Sequence, residues 1–363
     1  MSKTLFILGA GASKQAGGPL MCDFLDVADA IRNETEIGPD RASFELVFRA
    51  FSELDVLHAK AAVDIRNFES VLGLFDAARI LGKLGSLSSV DVERLGSAIR
   101  RVIVRTLERR IRYPIRNQAV LAPPPYGDFI TLVDRMSEAG LGPISFITFN
   151  YDMALDYALH RQGKDADYCL DPKPTGGTEI MKLHGSLNWA RCASCRKVIP
   201  WPLRQYFQKY NWDRAILGDF RYGTFEIGSH LQTFQHCNLP CEPEPVIIPP
   251  TWNKPQYRVD LEAVWRRAAE SFADAENIFV VGFSLPPTDE FFRFLYAVGA
   301  VGPARIKQFW VIDPAQEVRQ RFKSLLGPPI QDRFKDMGSN GFDEAIREIA
   351  STLLGTSIDR EVA

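Results

Sequence analysis

Asn150 and Asp152 end the run ISFITFNYD, where an apolar stretch at 144–149 stops abruptly at polar residues. A carboxamide and a carboxylate there can hold a substrate's amide or hydroxyls. The condition is that the run is a strand whose carboxyl end opens on a ligand site. The same two residues would also serve as caps of the next helix. His184 directly follows the short strand expected at 180–183 and adds a proton acceptor suited to neutral pH. Its plain alternative is a satisfied buried histidine before Gly185. GAGAS at 9–13 follows a third apolar run, 4–8. Glycines after a strand let backbone approach a phosphate, and a helix start offers N–H groups to it. The third glycine of the usual dinucleotide spacing is missing, so the motif alone is equally a tight strand–helix turn. Cys192 and Cys195, then Cys237 and Cys241, form two close pairs of the kind that hold tetrahedral zinc. Four buried thiols are the alternative. Cys22 and Cys169 stand apart and read as packing.

These residues need strands to carry them. The runs 4–8, 144–149, 180–183, 277–281 and 306–312 read as buried strands, with 246–248 returning to the same sheet. Helical patterns lie between them, at 128–139, 259–274, 316–325 and 342–354. Strands alternating with helices predict an α/β fold, a doubly wound parallel sheet. Segment 20–141 reads as a helical insertion. Phe68, Val71, Leu72 and Phe75 recur at helical spacing, as do Val92, Leu95, Ile99, Val102, Ile103, Leu107 and Ile111. The second of these helices carries Arg100, Arg101, Arg105, Arg109, Arg110 and Arg112, with Arg116 beyond. That row is either a solvated face whose stems cover the core, or a docking face for a partner. The expected division is 1–19, 142–190 and 242–363 for the nucleotide domain, 20–141 for the insertion and 191–241 for a four-cysteine zinc module.

The composition sets outer limits. The chain has 363 residues, 46% hydrophobic and 24% charged, with a net charge of −2. Neither a membrane nor a nucleic acid is the expected main partner. The opening MSKTLFILGAG turns glycine-rich too early for a signal peptide, which points to the cytoplasm. A reducing compartment favours metal binding or burial for the cysteines over disulfides.

Taken together and in order, the motifs resemble the sirtuin superfamily, and in detail its bacterial Sir2-like branch. The resemblance runs from residue 3 to about 315. It rests on GAGAS (9–13), TFNYD (148–152), KLHGSLNW (182–189), the four cysteines, GFSLPPTD (282–289) and VIDP (311–314). It implies a Rossmann-like domain with a binding site for NAD between that domain and the zinc module. Gly9, Ala10, Gly11 and Ser13 would then cradle the pyrophosphate. Gly282 and Ser284 would contact phosphate and the adenosine ribose, with Phe283 in place of the family's threonine. Asp313 would accept the adenosine ribose hydroxyls. Asn150 would hold the nicotinamide ribose or a water, Asp152 would face the nicotinamide amide, and His184 would be the general base.

Three departures bear on activity. Phe149 stands where the family has glutamine. The loop at 14–24 lacks the deacylases' Ile-Pro-Asp-Phe-Arg run. Ile248, Pro249, Pro250 and Trp252 occupy the place where deacylases pair a peptide strand, and consecutive prolines spoil such pairing. The resemblance therefore implies an NAD hydrolase over the alternatives: a protein deacylase, an ADP-ribosyltransferase or a non-catalytic NAD or ADP-ribose sensor. The branch includes antiphage (antiviral) defence effectors that deplete NAD when triggered. A homo-oligomer, or a ring-forming ATPase or Argonaute-like partner docking on the insertion, is implied by the same resemblance.

Overall fold

The computed structural model describes residues 3–55, 60–61, 63–217, 220–248, 258–286, 289–339 and 341–356. Seven strands form one sheet: β1 (Thr4–Leu8), β2 (Ile144–Thr148), β3 (Ala166–Asp167), β4 (Thr178–Lys182), β5 (Asn277–Val281), β6 (Gln308–Ile312) and β7 (Phe334–Met337). Their order is β7-β6-β5-β1-β2-β4-β3, and every pairing is parallel. This is the expected doubly wound α/β sheet. β1 lies at its centre, and the chain builds outward from it on both sides. Such a switch point is where open α/β sheets bind ligands.

β1 and β5 are buried at every position, which explains their unbroken apolar sequences. Phe6 of β1 stacks on Phe146 and Phe279 of its two neighbours, with ring centroids 6.0 and 5.1 Å away. Helix α6 (Tyr126–Met136) sets Phe129 edge-on to Phe6 at 5.0 Å. This helix lies within the segment expected as an insertion, yet it covers the sheet. On the other flank, α9 (Arg258–Asp274) and α10 (Glu290–Gly299) pack on each other, and Phe272 meets Phe292 at 5.9 Å. α11 (Gln316–Leu325) and α13 (Phe342–Leu354) follow β6 and β7 as expected.

β7 and the two-residue β3 were not expected. β7 reads FKDM, an edge sequence with charges that shows neither an apolar run nor clean alternation. The expected return of 246–248 to the main sheet is not realised. Ile247 instead bridges Gly185 antiparallel, outside the seven strands. Gly185 has φ +87°, and a Cβ there would lie 2.0 Å from the Val246 carbonyl, so only glycine permits this approach.

The segment expected as an insertion, 20–141, also holds α2 (Phe24–Arg32), α3 (Arg41–Leu54), α4 (Phe68–Leu81) and α5 (Ser89–Arg110). Ser88 caps α5 by accepting from the Asp91 N–H, and Asn67 caps α4 by accepting from Glu69. The segment also holds strands at Tyr113–Arg116 and Ala119–Val120. They join Phe220–Thr224 and Asp213–Leu217 in a four-stranded sheet, which stitches the insertion to the cysteine-bearing segment. Three arginines of the α5 row, Arg100, Arg105 and Arg109, face carboxylates across that seam, while Arg101 is exposed beside Asp40 of its own segment. Arg100 pairs with Glu244 at 2.8 Å, and Arg105 pairs with Glu226. Arg101 lies 3.5 Å from Asp40, and Arg109 lies 3.9 Å from Glu226. Among the described residues, no helix is long and apolar enough to cross a membrane.

Candidate functional site

Register decides which residues meet. Leu8 pairs with both Thr148 and Val281, Val281 with Ile312, and Thr148 with Lys182. The strands therefore end level, and hydrogen bonds carry the alignment one residue further. Gly9 N–H donates to Val281 O at 3.0 Å, Phe149 N–H to Leu8 O at 3.1 Å and Leu183 N–H to Thr148 O at 2.9 Å. The residues just past these ends form one edge.

A cavity of about 440 Å³ opens along that edge. Ala10, Gly11, Asn150, His184, Gly282, Ser284 and Asp313 all line it. Gly9, Ser13 and Asp152 are not among its lining residues. The two glycine turns interlock backbone to backbone: a Cβ on Gly9 would lie 2.4 Å from Gly282 O, and one on Gly282 would lie 2.4 Å from Ala12 N. Gly11 N–H donates to Gly282 O at 2.9 Å. These glycines therefore serve first to let two loops touch.

Ser13 is a buried hub behind the cavity. Its hydroxyl donates to Asp152 Oδ2 at 2.8 Å, lies 2.9 Å from the Tyr126 hydroxyl and accepts from Asn150 Nδ2 at 3.0 Å. Asn150 Nδ2 also donates to Gly9 O at 2.9 Å. With both amide N–H groups engaged, Asn150 has its carbonyl to offer a ligand, as an acceptor for a hydroxyl or a water. Asp152 departs from the expected contact with substrate. It is 6% exposed, and its Oδ1 accepts from the Ala154 N–H at 2.9 Å. Burial raises its pKa above the usual carboxylate value, opposed chiefly by the Lys182 ammonium. It positions Ser13, and Ser13 positions Asn150.

His184 is 7% exposed. Phe149 meets its ring edge-on at 5.2 Å and Tyr151 lies tilted at 6.2 Å. Phe149 also stacks on Phe283 at 3.8 Å and 11°. Phe149 and Phe283 thus form one aromatic pair, an apolar wall beside the histidine. Asp313 is partly buried, and its Oδ1 accepts from the Ala315 N–H at 2.9 Å. Burial raises its pKa too.

Three contributions lay beyond sequence reasoning. Lys14 lines the cavity, and Leu20, Met21, Cys22, Asn67 and Glu69 of the insertion line it too. Cys22 is exposed there, not packed in a core. The Phe68 N–H donates to Met21 O at 3.1 Å and Phe24 stacks on Phe68 at 4.2 Å, which joins these two pieces. No local pattern signals that contact.

The metal candidate lies apart from the cavity. Cys192, Cys195, His236 and Cys237 place their ligand atoms within 4.8 Å of one another. His236 enters where the sequence points to Cys241. Cys241 stays close, its backbone bridged to Cys192, and the Cys192 and Cys195 charges help raise its pKa after burial. The Cys195 N–H donates to Cys192 Sγ at 3.4 Å and, as the leading cause, draws that thiol's pKa down to about 6. Three thiolates and an imidazole are a donor set that could hold zinc. Cys192→Ser should release the metal and lower the melting temperature, because metal binding and local folding are coupled. Metal analysis beside a thermal melt checks this; wild-type protein purified without zinc would defeat it. Between His236→Ala and Cys241→Ser, the geometry expects the larger metal loss with the first.

No family model matches the chain, and no curated protein matches it. Similar solved structures exist. One is "Structure of Sir2Tm bound to a propionylated peptide", 14% identical, covering 96% of this chain and 92% of that one, TM-score 0.37. Another is "Sir2-p53 peptide-NAD+", also 14% identical, covering 98% and 94%, TM-score 0.38. Likenesses at this level carry no functional argument, which rests on the cavity and the side chains around it.

Proposed function

We propose that the chain is an NAD glycohydrolase that converts NAD to nicotinamide and ADP-ribose. One observation carries the reading: Asn150, His184, Gly282, Ser284 and Asp313 all line one cavity along the level strand ends. Asp313 suits the adenosine ribose hydroxyls, and the cavity beside the glycine turns would take the pyrophosphate. The nicotinamide ribose then falls between Asn150 and His184. The bond from nicotinamide N1 to C1′ breaks, and its electron pair leaves on neutral nicotinamide. A water held by the Asn150 carbonyl bonds to C1′ and gives its proton to His184. The Phe149–Phe283 wall keeps the site dry while charge develops on the ribose.

Peptide deacylation fits less well. An added peptide strand needs backbone donors on the segment after the cysteine module. The Ile247 N–H donates to Pro245 O at 3.0 Å and the Ile248 N–H to His184 O at 2.7 Å. The Ile248 carbonyl accepts from the Tyr151 hydroxyl at 2.6 Å. Pro249 has no N–H; Pro249, Pro250 and Trp252 lie outside the described residues.

An enzyme that drains NAD is toxic without control, so the reading includes a regulated defence effector. The insertion, which forms part of the cavity wall, is the element through which self-assembly or a partner would act. The test is purified protein with NAD at several protein concentrations, with the products resolved. Free nicotinamide and ADP-ribose are expected, with a rate per molecule that climbs as the protein assembles. O-acyl-ADP-ribose formed only with an acylated peptide would replace this reading with deacylation. Label from NAD retained on a macromolecule would replace it with ADP-ribosyl transfer.

A further inference from the structure

The glycine turn that follows β1 is short of donors for a pyrophosphate. The Gly9 N–H is held by Val281 O at 3.0 Å, the Gly11 N–H by Gly282 O at 2.9 Å, and the Ala12 N–H by Gly9 O at 3.0 Å. The Lys14 N–H reaches back to Gly11 O at 3.3 Å. The helical turn Ala10–Ser13 is four residues long, too short to add a useful dipole. A dianionic ligand part placed here needs a cation from a side chain.

Lys14 is the one Lys or Arg among the described residues that line the cavity. The same cavity is lined by the carboxylates Glu69, Asp289 and Asp313, so the ammonium marks the place that favours an anion. Its side chain is exposed and makes no ion pair among the described residues. Its backbone, by contrast, is fixed on both sides. Ser13 is the buried hub. Gln15 clamps the start of α13, donating to Asp343 Oδ1 at 2.7 Å and accepting from the Asp343 N–H at 3.1 Å. The Arg112 N–H donates to Ala16 O at 2.9 Å, which pins the loop to the end of α5. The result is a long flexible cation on a rigid base at the mouth of the cavity.

We propose that Lys14 binds the pyrophosphate of the dinucleotide and supplies the charge that the glycine turn does not. This rests on the NAD reading above. The expected sequence of contacts along the ligand is Asp313 at the adenosine ribose, Lys14 at the phosphates, and Asn150 with His184 at the reacting ribose.

Calorimetric titration of the full chain with ADP-ribose and, separately, with adenosine tests it. Lys14→Met should weaken ADP-ribose binding roughly tenfold or more, the scale of a hydrogen bond to a charged group. Adenosine, which lacks phosphate, should bind the variant as it binds the wild type. Wild-type affinity for ADP-ribose should fall with added salt more steeply than that of the variant, and Lys14→Arg should recover most of the loss. Equal ADP-ribose binding by wild type and Lys14→Met would overturn the assignment, as would a matching loss for adenosine. A wild type that binds neither NAD nor ADP-ribose would overturn the NAD reading itself.

Discussion

His184→Ala is expected to slow NAD cleavage by roughly 10²–10⁴-fold, the range a positioned general base contributes. The loss should fall on kcat, with ADP-ribose affinity near wild type, because the phosphates and the adenosine ribose are held elsewhere. The fold should survive. Position 184 is fixed through its backbone: the carbonyl accepts from the Ile248 N–H at 2.7 Å, and alanine keeps that bond. What alanine removes is the ring between Phe149 and Tyr151. The dependence on pH has a definite sign. An imidazolium cannot accept a proton, so wild-type turnover should fall on acidification, and the residual turnover of the variant should lack that limb. A fully active His184→Ala would remove the histidine from the mechanism and leave water activation to Asn150 alone.

The parts of this site that sequence reveals are those encoded by neighbouring residues. An apolar run followed at once by polar ones marks a parallel strand and its carboxyl end, so Asn150, His184, Gly282 and Asp313 could be placed beforehand. Parallel register then brings them level without further instruction. Roles set by burial were not legible. Asp152 and Ser13 have the same types and spacing as ligand-binding residues, but the packing of Tyr126 and Ala154 behind the strand ends encloses them. Contacts made across long stretches of chain were also hidden. Asn67 and Glu69 reach the cavity because α4 docks beside Met21, a pairing that no periodicity announces. His236 was overlooked for a related reason: a histidine next to Cys237 carries no spacing signal of its own, and only the fold turns it toward Cys195, at 3.6 Å. The α5 arginines show the reverse problem. Their row was plain in the sequence, but its partners, Asp40, Glu226 and Glu244, come from two distant segments.

Lys182→Met should destabilise the protein by about 3–5 kcal/mol, the scale for leaving a buried charge without its partner. Lys182 is 1% exposed, and its ammonium meets three acceptors: Asp156 Oδ2 at 2.8 Å, Asp152 O at 2.6 Å and Ser186 Oγ at 2.9 Å. Asp156 is 3% exposed and also accepts from the Tyr168 hydroxyl at 2.6 Å. Methionine keeps most of the stem's volume and removes the charge, so the cost reports the stranded carboxylate more than a cavity. Lys182→Met with Asp156→Asn should therefore melt well above Lys182→Met alone, since the second change removes the charge the first one stranded. The activity of the single variant should fall as well. The ammonium is the chief force opposing the upward shift of the Asp152 pKa, and it also fixes the carbonyl of that residue. Without it, Asp152 takes up a proton more readily and no longer serves Ser13 as a charged acceptor, and Asn150 loses the hub that orients its amide. Thermal melts of the wild type and the two variants, run beside NAD turnover, check both arms. A Lys182→Met variant that melts with the wild type would show that the buried ion pair contributes no net stability. One that turns over NAD at the wild-type rate would break the proposed chain from Lys182 through Asp152 and Ser13 to Asn150.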